Sequence, residues 1–403
     1  MVLGAVKGRA SARRKRFHPL TAPARHGRGM LVGTWRNREE APQRFPGSLR
    51  DPQVRSNPMD QQHYVGLDVS LETTSICVVD RDGIVIWRGK CATDPDAICH
   101  AVRTRAPVLV RAGLETGQLS NWLTLALRKR GLPIVCLDAR HAKAALSLQV
   151  NKTDANDALG LAQVVRTGWF REIAIKSMDA QTLQLLLTAR AQMVSQRQAI
   201  ANNIRGLLKT FGHVIQRGCK GPFATRVREV IDGNPVLSAI VEPLLAAWQA
   251  LREQAAVFDR EVTMKAKSDA AARRLMSVPG VGVIVALAYK AVVDDPTRFK
   301  RSTSVGAYVG LAPKRYQSGE VDKAGRISKC GDRLLRSYLF EAANVLLTRH
   351  PKPSRLKVWG LALAARIGMR RAKVAVARKL AVIMHRVWKD DRDFDWGNAS
   401  TAA

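Results

Sequence analysis

Alternating apolar and polar positions begin abruptly at Tyr64. Tyr64-Val-Gly-Leu-Asp-Val69 and Thr74-Ser-Ile-Cys-Val-Val79 read as strands, and Asp82-Gly83 turns the chain into a third, Ile84-Val-Ile-Trp87. Aspartate-glycine between β-branched runs is a strong hairpin signal. The pattern then predicts a helix from Pro95 to Arg105, a buried strand from Val108 to Leu114, a helix from Leu119 to Arg130 and a short strand from Pro133 to Leu137. Helical residues resume at Ala139, and a further helix runs from Thr153 to Arg166. Beyond residue 178 the period changes. Leu183, Leu186, Leu187, Met193, Val194, Ile200, Ile204, Leu207 and Leu208 recur at three and four, as do Leu237, Ile240, Val241, Leu244, Leu245, Trp248, Leu251, Phe258 and Val262. Two long helices follow from that spacing, joined through a Gly-containing segment. An antiparallel helical hairpin and a dimerising coiled coil fit the stripe equally. From Leu275, Ser277-Val-Pro-Gly-Val-Gly282 leads into an apolar helix through Val293. Helix-hairpin-helix modules use such a turn to offer backbone N–H groups to phosphate, and a plain loop-to-helix joint has the same pattern.

Three strands in a meander followed by alternating helix and strand is the element order of an RNase H-like α/β domain. The expected organisation is an α/β RNase H-like domain over 59–170, a helical hairpin or coiled coil over 171–270, a mostly α domain with a helix-hairpin-helix-like element over 271–390, and a tail over 391–403. Residues 1–58 carry thirteen Lys or Arg against three Asp or Glu, with many Pro and Gly and no apolar period. Such a stretch builds no core and is expected to be a disordered basic extension. Because the strand pattern starts directly after Met59, the stretch reads either as a basic arm or as translated sequence upstream of the native start.

Charge sharpens the picture. The formal net charge is +33, far beyond what solubility needs, and a field of that size attracts polyanions through counterion release. With 46% apolar residues and long periodic segments, the chain is a globular machine rather than a basic tail. The six cysteines, Cys77, Cys91, Cys99, Cys136, Cys219 and Cys330, form no CxxC pair and suggest neither a zinc site nor a disulfide framework. No run of about 18 apolar residues is present, so a cytoplasmic protein with no membrane partner is expected.

Four carboxylates stand where an RNase H-like topology would gather them. Asp68 lies within the first strand among apolar neighbours, where a charge is costly unless paired or bound to metal. Glu115 ends the fourth strand, and strand ends are where open α/β sheets place their sites. Asp154 and Asp157, three apart at a helix start, share a face. Singly, each has a plain explanation: Asp154 an N-cap, Asp157 a solvated first-turn acid, Glu115 a loop residue. As a set they would hold two magnesium ions about 4 Å apart for phosphoryl transfer.

The chain from Tyr64 to Arg166 resembles the RuvC-like domain of the insertion-sequence-110 family of transposases and its relatives, the pilin-gene invertases. That family's Asp, Glu, Asp, Asp signature falls on Asp68, Glu115, Asp154 and Asp157. Its second domain is similar to Val278-Pro-Gly-Val-Gly282, Phe299-Lys300, Gly306-Ala-Tyr-Val-Gly-Leu-Ala-Pro313, Gln317-Ser-Gly319 and Gly325-Arg-Ile-Ser-Lys-Cys-Gly-Asp-Arg-Leu-Leu-Arg336. Many members carry further glycine where this chain has Glu320-Val321. The resemblance implies DNA transposition through a serine nucleophile at Ser318, a serine-linked DNA intermediate, an oligomer, and a guide RNA transcribed from the element that pairs with donor and target DNA. Ser318 follows a Pro-Lys-Arg turn on a polar, glycine-bearing loop that should expose its hydroxyl; Ser328 is the rival, for which capping is the simpler role. With no histidine near Ser318, activation falls to the metal cluster, making the site composite.

Lys314, Arg315, Lys323, Arg326, Lys329, Arg333 and Arg336 crowd around that serine with few acids between them, which favours contact with nucleic-acid phosphates. Aromatics make up only 5% of the chain, too few to suggest a base-stacking platform. Two other readings remain: a metal nuclease of the Holliday-junction-resolving sort that activates water, and a non-catalytic basic nucleic-acid-binding protein.

Overall fold

The computed structural model describes residues 62–146, 153–216 and 222–396. The expected basic extension, Cys219 and the last part of the tail lie outside the described residues. Strands β1 (His63–Val69), β2 (Thr73–Val79), β3 (Val85–Ala92), β4 (Leu109–Glu115) and β5 (Ile134–Leu137) form one sheet in the order β3-β2-β1-β4-β5. The first three pair antiparallel, whereas β4 lies parallel to both β1 and β5. The sheet is mixed and helices cover both faces, as the order of elements predicts.

Side-chain alternation decides which helix goes where. Val65 and Leu67 point to the face covered by α1 (Pro95–Arg105) and α2 (Ser120–Lys129), where they share a core with Ile98, Val102, Leu123 and Leu127. The opposite face belongs to α4 (Asp154–Thr167), which follows α3 (Ala139–Leu146). Here Gly66 is required by close approach: a Cβ at that position would lie 2.1 Å from the Ala158 carbonyl oxygen and 2.4 Å from the Ala162 nitrogen. Gly113 on β4 plays the same part, with a Cβ falling 2.3 Å from Val165 Cγ2. Two glycines side by side on adjacent parallel strands thus let α4 settle onto the middle of the sheet. Past Thr167 the chain returns along β5, Asp138 N–H donating to Arg171 O at 3.1 Å and Ile173 N–H to Cys136 O at 2.8 Å.

Two long helices follow, α5 (Met178–Lys209) and α7 (Pro235–Ser268), with the short α6 (Phe223–Ile231) between them. Ile204 and Leu208 near the end of α5 pack with Leu237, Val241 and Leu245 near the start of α7. At the other end, Leu187 packs with Val262 and Ala266, and Arg190 Nε meets Asp259 at 2.5 Å. The two helices are therefore antiparallel within one chain. Leu187, Val262 and Ala266 also belong to the large core formed by α8 (Ala270–Leu275), α9 (Val283–Val293), α10 (Thr303–Tyr308), α11 (Arg333–Thr348), α12 (Arg355–Ile367) and α13 (Met369–Lys389). The helical pair is rooted in that C-terminal core.

The turn before α9 owes its glycine to packing: Gly280 has φ +85°, and a Cβ there would stand 2.4 Å from the Ala342 carbonyl of α11. Between α10 and α11 a two-stranded hairpin appears, β6 (Pro313–Ser318) with β7 (Val321–Ile327), which the apolar pattern does not announce. Among the described residues, no helix is long and apolar enough to cross a membrane.

One buried titratable group in the C-terminal core gives acid a handle on stability. His385 of α13 is fully buried, with Nε2 2.9 Å from the Pro296 carbonyl and Nδ1 2.9 Å from Ser302 Oγ. The neutral ring satisfies both, donating from Nε2 and accepting at Nδ1. Burial holds its pKa below the usual histidine value, against the smaller upward pull of the Pro296 carbonyl. Since the unfolded chain then binds the proton more readily, this contribution to stability is complete above the unfolded pKa of about 6.5 and is lost as pH falls below it toward the folded value. Differential scanning fluorimetry should show the melting temperature falling between neutral pH and pH of about 5, with a shallower slope in His385→Gln; an unaltered slope would acquit this residue.

Candidate active site at the carboxyl ends of β1 and β4

The site grows out of the strand register. β1 and β4 run parallel with Gly66 opposite Gly113 and Leu67 opposite Leu114, so the next residues, Asp68 and Glu115, follow at the same level of adjoining strands, Asp68 still paired with Ser75 and Glu115 with Leu137. Each is two residues beyond a glycine that faces α4, and each is half-buried; both project toward the face α4 covers. Beside the strand ends lies a cavity of about 220 Å³ lined by Val69, Ser70, Leu71, Glu115 and Gln118 among others.

Helix α4 brings the other two acids. Thr153 is its N-cap, the side chain accepting from Asn156 N–H, so Asp154 is not the cap; it stands with Asp157 in the first turn, where the helix dipole favours negative charge. Ala158, one residue on, sits over Gly66, which places this first turn at the Asp68 end of β1. Asp157 lies one turn before Leu161, which packs against Leu137 of β5, so it is on the β4–β5 flank of the helix. Asp154 is fixed from the other direction by a group with no sequence signal: Lys90 Nζ of β3 meets its carboxylate at 3.1 Å. Lys90 pairs with Ser75, and Ser75 with Asp68, so that lysine marks the same level of the sheet. Both partners are more than half exposed, and such a pair contributes at most about 1 kcal/mol.

The four acids are thus brought to one end of the sheet, on the side of α4. Among the described residues, no group of three or more His, Cys, Asp or Glu side chains is gathered closely enough to form a ready metal cage. Cys136 belongs to the core on the opposite face of the sheet, under α1 and α2, where burial pushes its thiol up to about 11.

Ser318 stands elsewhere in the chain, as the last residue of β6. It pairs with Val321 across a two-residue turn, Gly319-Glu320, in which Gly319 takes φ +54°. The turn needs glycine only at that position, so Glu320 is accommodated without altering the hairpin. By register Ser318, Tyr316, Val321 and Lys323 share one face of the ribbon, and all four are exposed. On the other face Arg315 forks onto Asp322, Nε to Oδ1 at 2.8 Å. Ser328 follows β7 and is tied into a turn: its N–H donates to Ala312 O at 2.8 Å, and its Oγ accepts from Cys330 N–H at 3.4 Å. It caps no helix; Asp332 caps α11.

The basic residues around the serine divide. Lys314, Lys323, Arg326, Lys329 and Arg333 are exposed and open to a polyanion. Arg315 is committed to Asp322, and Arg336 turns its guanidinium inward onto the Val309 and Gly331 carbonyls, so that its role is to hold the loop before α11.

Sequence comparison supplies the family. Residues 65–213 match the DEDD transposase domain of IS110-type elements, and residues 272–358 match a domain described as "Transposase IS116/IS110/IS902 family". The chain is 30% identical over 336 residues to the transposase for insertion sequence element IS1111A of Coxiella burnetii, a match covering 82% of this chain and 90% of that one. The chain belongs to the IS110/IS116/IS902 family of transposases. A probable family 20 transposase of Pseudomonas aeruginosa is 26% identical over 288 residues (70% of this chain, 83% of the relative). The transposase for insertion sequence element IS1328 of Yersinia enterocolitica is 29% identical over 236 residues (58% and 70%). As a transposase of this family the protein is a DNA-processing enzyme, and its first domain is of the DEDD, RuvC-like class that typically uses a divalent metal.

Proposed function

We propose that this transposase cuts and rejoins DNA at a composite site, in which Asp68, Glu115, Asp154 and Asp157 hold two magnesium ions and Ser318 is the nucleophile. The observation that carries the reading is the adjacency of Asp68 and Glu115 at neighbouring parallel strand ends, under the helix whose first turn bears the other two acids. Hard carboxylate oxygens suit a hard divalent cation, and the half-buried positions of Asp68, Glu115 and Asp157 at one end of the sheet suit the binding of one. Bound there, the ions would supply Lewis-acid stabilisation of the attacking and departing oxygens of a phosphodiester. Asp154 has to exchange Lys90 for metal, an exchange made easy by the exposure of that pair.

The chain's own chemistry is an exchange of esters. Ser318 Oγ forms a bond to phosphorus as the P–O bond to one deoxyribose breaks, and the serine proton leaves with the departing hydroxyl or to solvent. A hydroxyl from the second DNA then reverses the step on the stored phosphoserine ester, so rejoining needs no outside energy source. Tyr316 and Lys323 on the serine face are placed to steady the strand, and Lys314, Arg326, Lys329 and Arg333 to hold its phosphates. The hairpin meets the acids of its own chain or of another copy in an oligomer. Sequence choice is delegated to an element-encoded guide RNA pairing with donor and target, in keeping with the sparse aromatics.

Denaturing gels of the protein incubated with labelled donor DNA and magnesium should show DNA migrating with the polypeptide, and mass spectrometry should place the phosphate on the peptide containing Ser318. Cut DNA with no attached protein at any time would instead support an attacking water and the junction-resolving alternative.

A further inference from the structure

Away from the carboxylates, α5, α6 and α7 enclose a second site, seated on the small core of Ile204, Leu208, Val227, Ile231, Leu237, Val241 and Leu245. Its cavity, of about 420 Å³, is lined by Arg197, Gln198, Arg205, Phe223, Trp248 and Arg252, with Ala201 and Pro222 at its edges. The Phe223 and Trp248 rings stand 5.2 Å apart at 55°. Arg205 stacks over Phe223 at 4.6 Å, and Arg252 lies over Trp248 at 5.9 Å. No carboxylate occurs among the described residues that line it. Arg197 and Arg252 bring two guanidiniums to a cavity that no carboxylate lines, which favours an anion, while Arg205 is held by the Phe223 ring and the Ala201 carbonyl. Two half-buried aromatic rings in the same cavity add a flat apolar surface that a bare inorganic anion would not use.

We propose that this cavity binds an unpaired nucleotide of a single-stranded nucleic acid, its base against Trp248 and Phe223 and its phosphate between Arg197 and Arg252. The volume falls within the range of about 300–1,000 Å³ usual for small-ligand sites. A concave pocket admits a base only when it is splayed out of a strand, because in a duplex both faces of the base are already stacked. Unpaired stretches of an RNA and a displaced DNA strand offer the same base-and-phosphate chemistry.

The test uses the full chain and a fluorescein-labelled oligonucleotide of mixed sequence without self-pairing, presented as RNA, as DNA and as the corresponding duplexes. Arg197→Gln with Arg252→Gln should weaken single-strand binding about ten- to a hundredfold, the scale of a lost charge-assisted phosphate contact, and leave duplex binding within about twofold. Intrinsic fluorescence should be quenched by the single strand in the wild-type chain and much less in Trp248→Phe. Preference for RNA would assign the site to an RNA partner, preference for DNA to a displaced strand, and either supports it. Arg252→Glu alone, at an exposed position that leaves the fold intact, should act in the same direction. Equal losses on duplex and single strand, unchanged affinity in the double variant, or equal binding of a phosphotyrosyl peptide would overturn the proposal. Since the readout is binding, its failure leaves the carboxylate and serine chemistry untouched.

Discussion

Replacing Asp68 by Ala should lower magnesium-dependent cleavage of donor DNA by about 10³-fold, the upper end of what removal of a single electrostatic stabiliser costs. That expectation comes from one fact: Asp68 is half-buried at the end of β1, beside Glu115 and below the first turn of α4. Binding separates this account from a structural one. Isothermal titration with manganese, a spectroscopically useful stand-in for magnesium, should show fewer or weaker sites in Asp68→Ala. Asp154→Ala should give a smaller effect, because that acid is the most exposed of the four and is shared with Lys90. Full activity in Asp68→Ala with magnesium would remove the carboxylate site from the mechanism altogether.

How far sequence could reach is set by burial. In the α/β domain both faces of the sheet are covered, so buried positions follow one another along β1 and β2 and are filled mostly by apolar residues, and the turn at Asp82-Gly83 stands out between β2 and β3. The sites of Asp68 and Glu115 were legible for the same reason, as charges interrupting or ending buried strands. In β6 all six residues are exposed, neither face of that strand is packed, and period-two alternation therefore has nothing to report; Pro313–Ser318 reads as a loop although it is a strand. Lys90 escaped for a different reason. Its place opposite Asp154 depends on a β2–β3 register that shifts at Val78/Val79, and on a helix 64 residues further along. The apolar stripe of α5 and α7 told of a partner without telling which; the Arg190–Asp259 ion pair and the packing of Leu187 on Val262 show each helix partnered by the other. On the same α5, Arg197, Ala201 and Arg205 follow at intervals of four, as Trp248 and Arg252 do on α7, a small-residue gap between cations that could have pointed to the second cavity.

Ser318→Ala is the variant that divides transposition from simple hydrolysis. An exposed hydroxyl at a hairpin end contributes within about 0.5 kcal/mol to stability, so the protein should fold and bind DNA as before. If the serine ester carries the reaction, covalent protein–DNA adduct and strand exchange both disappear, a loss of 10³-fold or more on the scale of about 10⁶ measured for removal of a nucleophile in a hydrolytic enzyme. If water attacks at the carboxylates, cutting continues at the wild-type rate and only the adduct question becomes moot. Ser328→Ala is the matched control. Its backbone N–H, not its hydroxyl, makes the 2.8 Å bond to Ala312, and the hydroxyl accepts only the long contact from Cys330. Adduct formation should therefore survive in Ser328→Ala within a fewfold of wild type. An adduct lost in Ser328→Ala and retained in Ser318→Ala would transfer the nucleophile to the strand end beyond β7 and leave the exposed tip of the hairpin a purely structural turn.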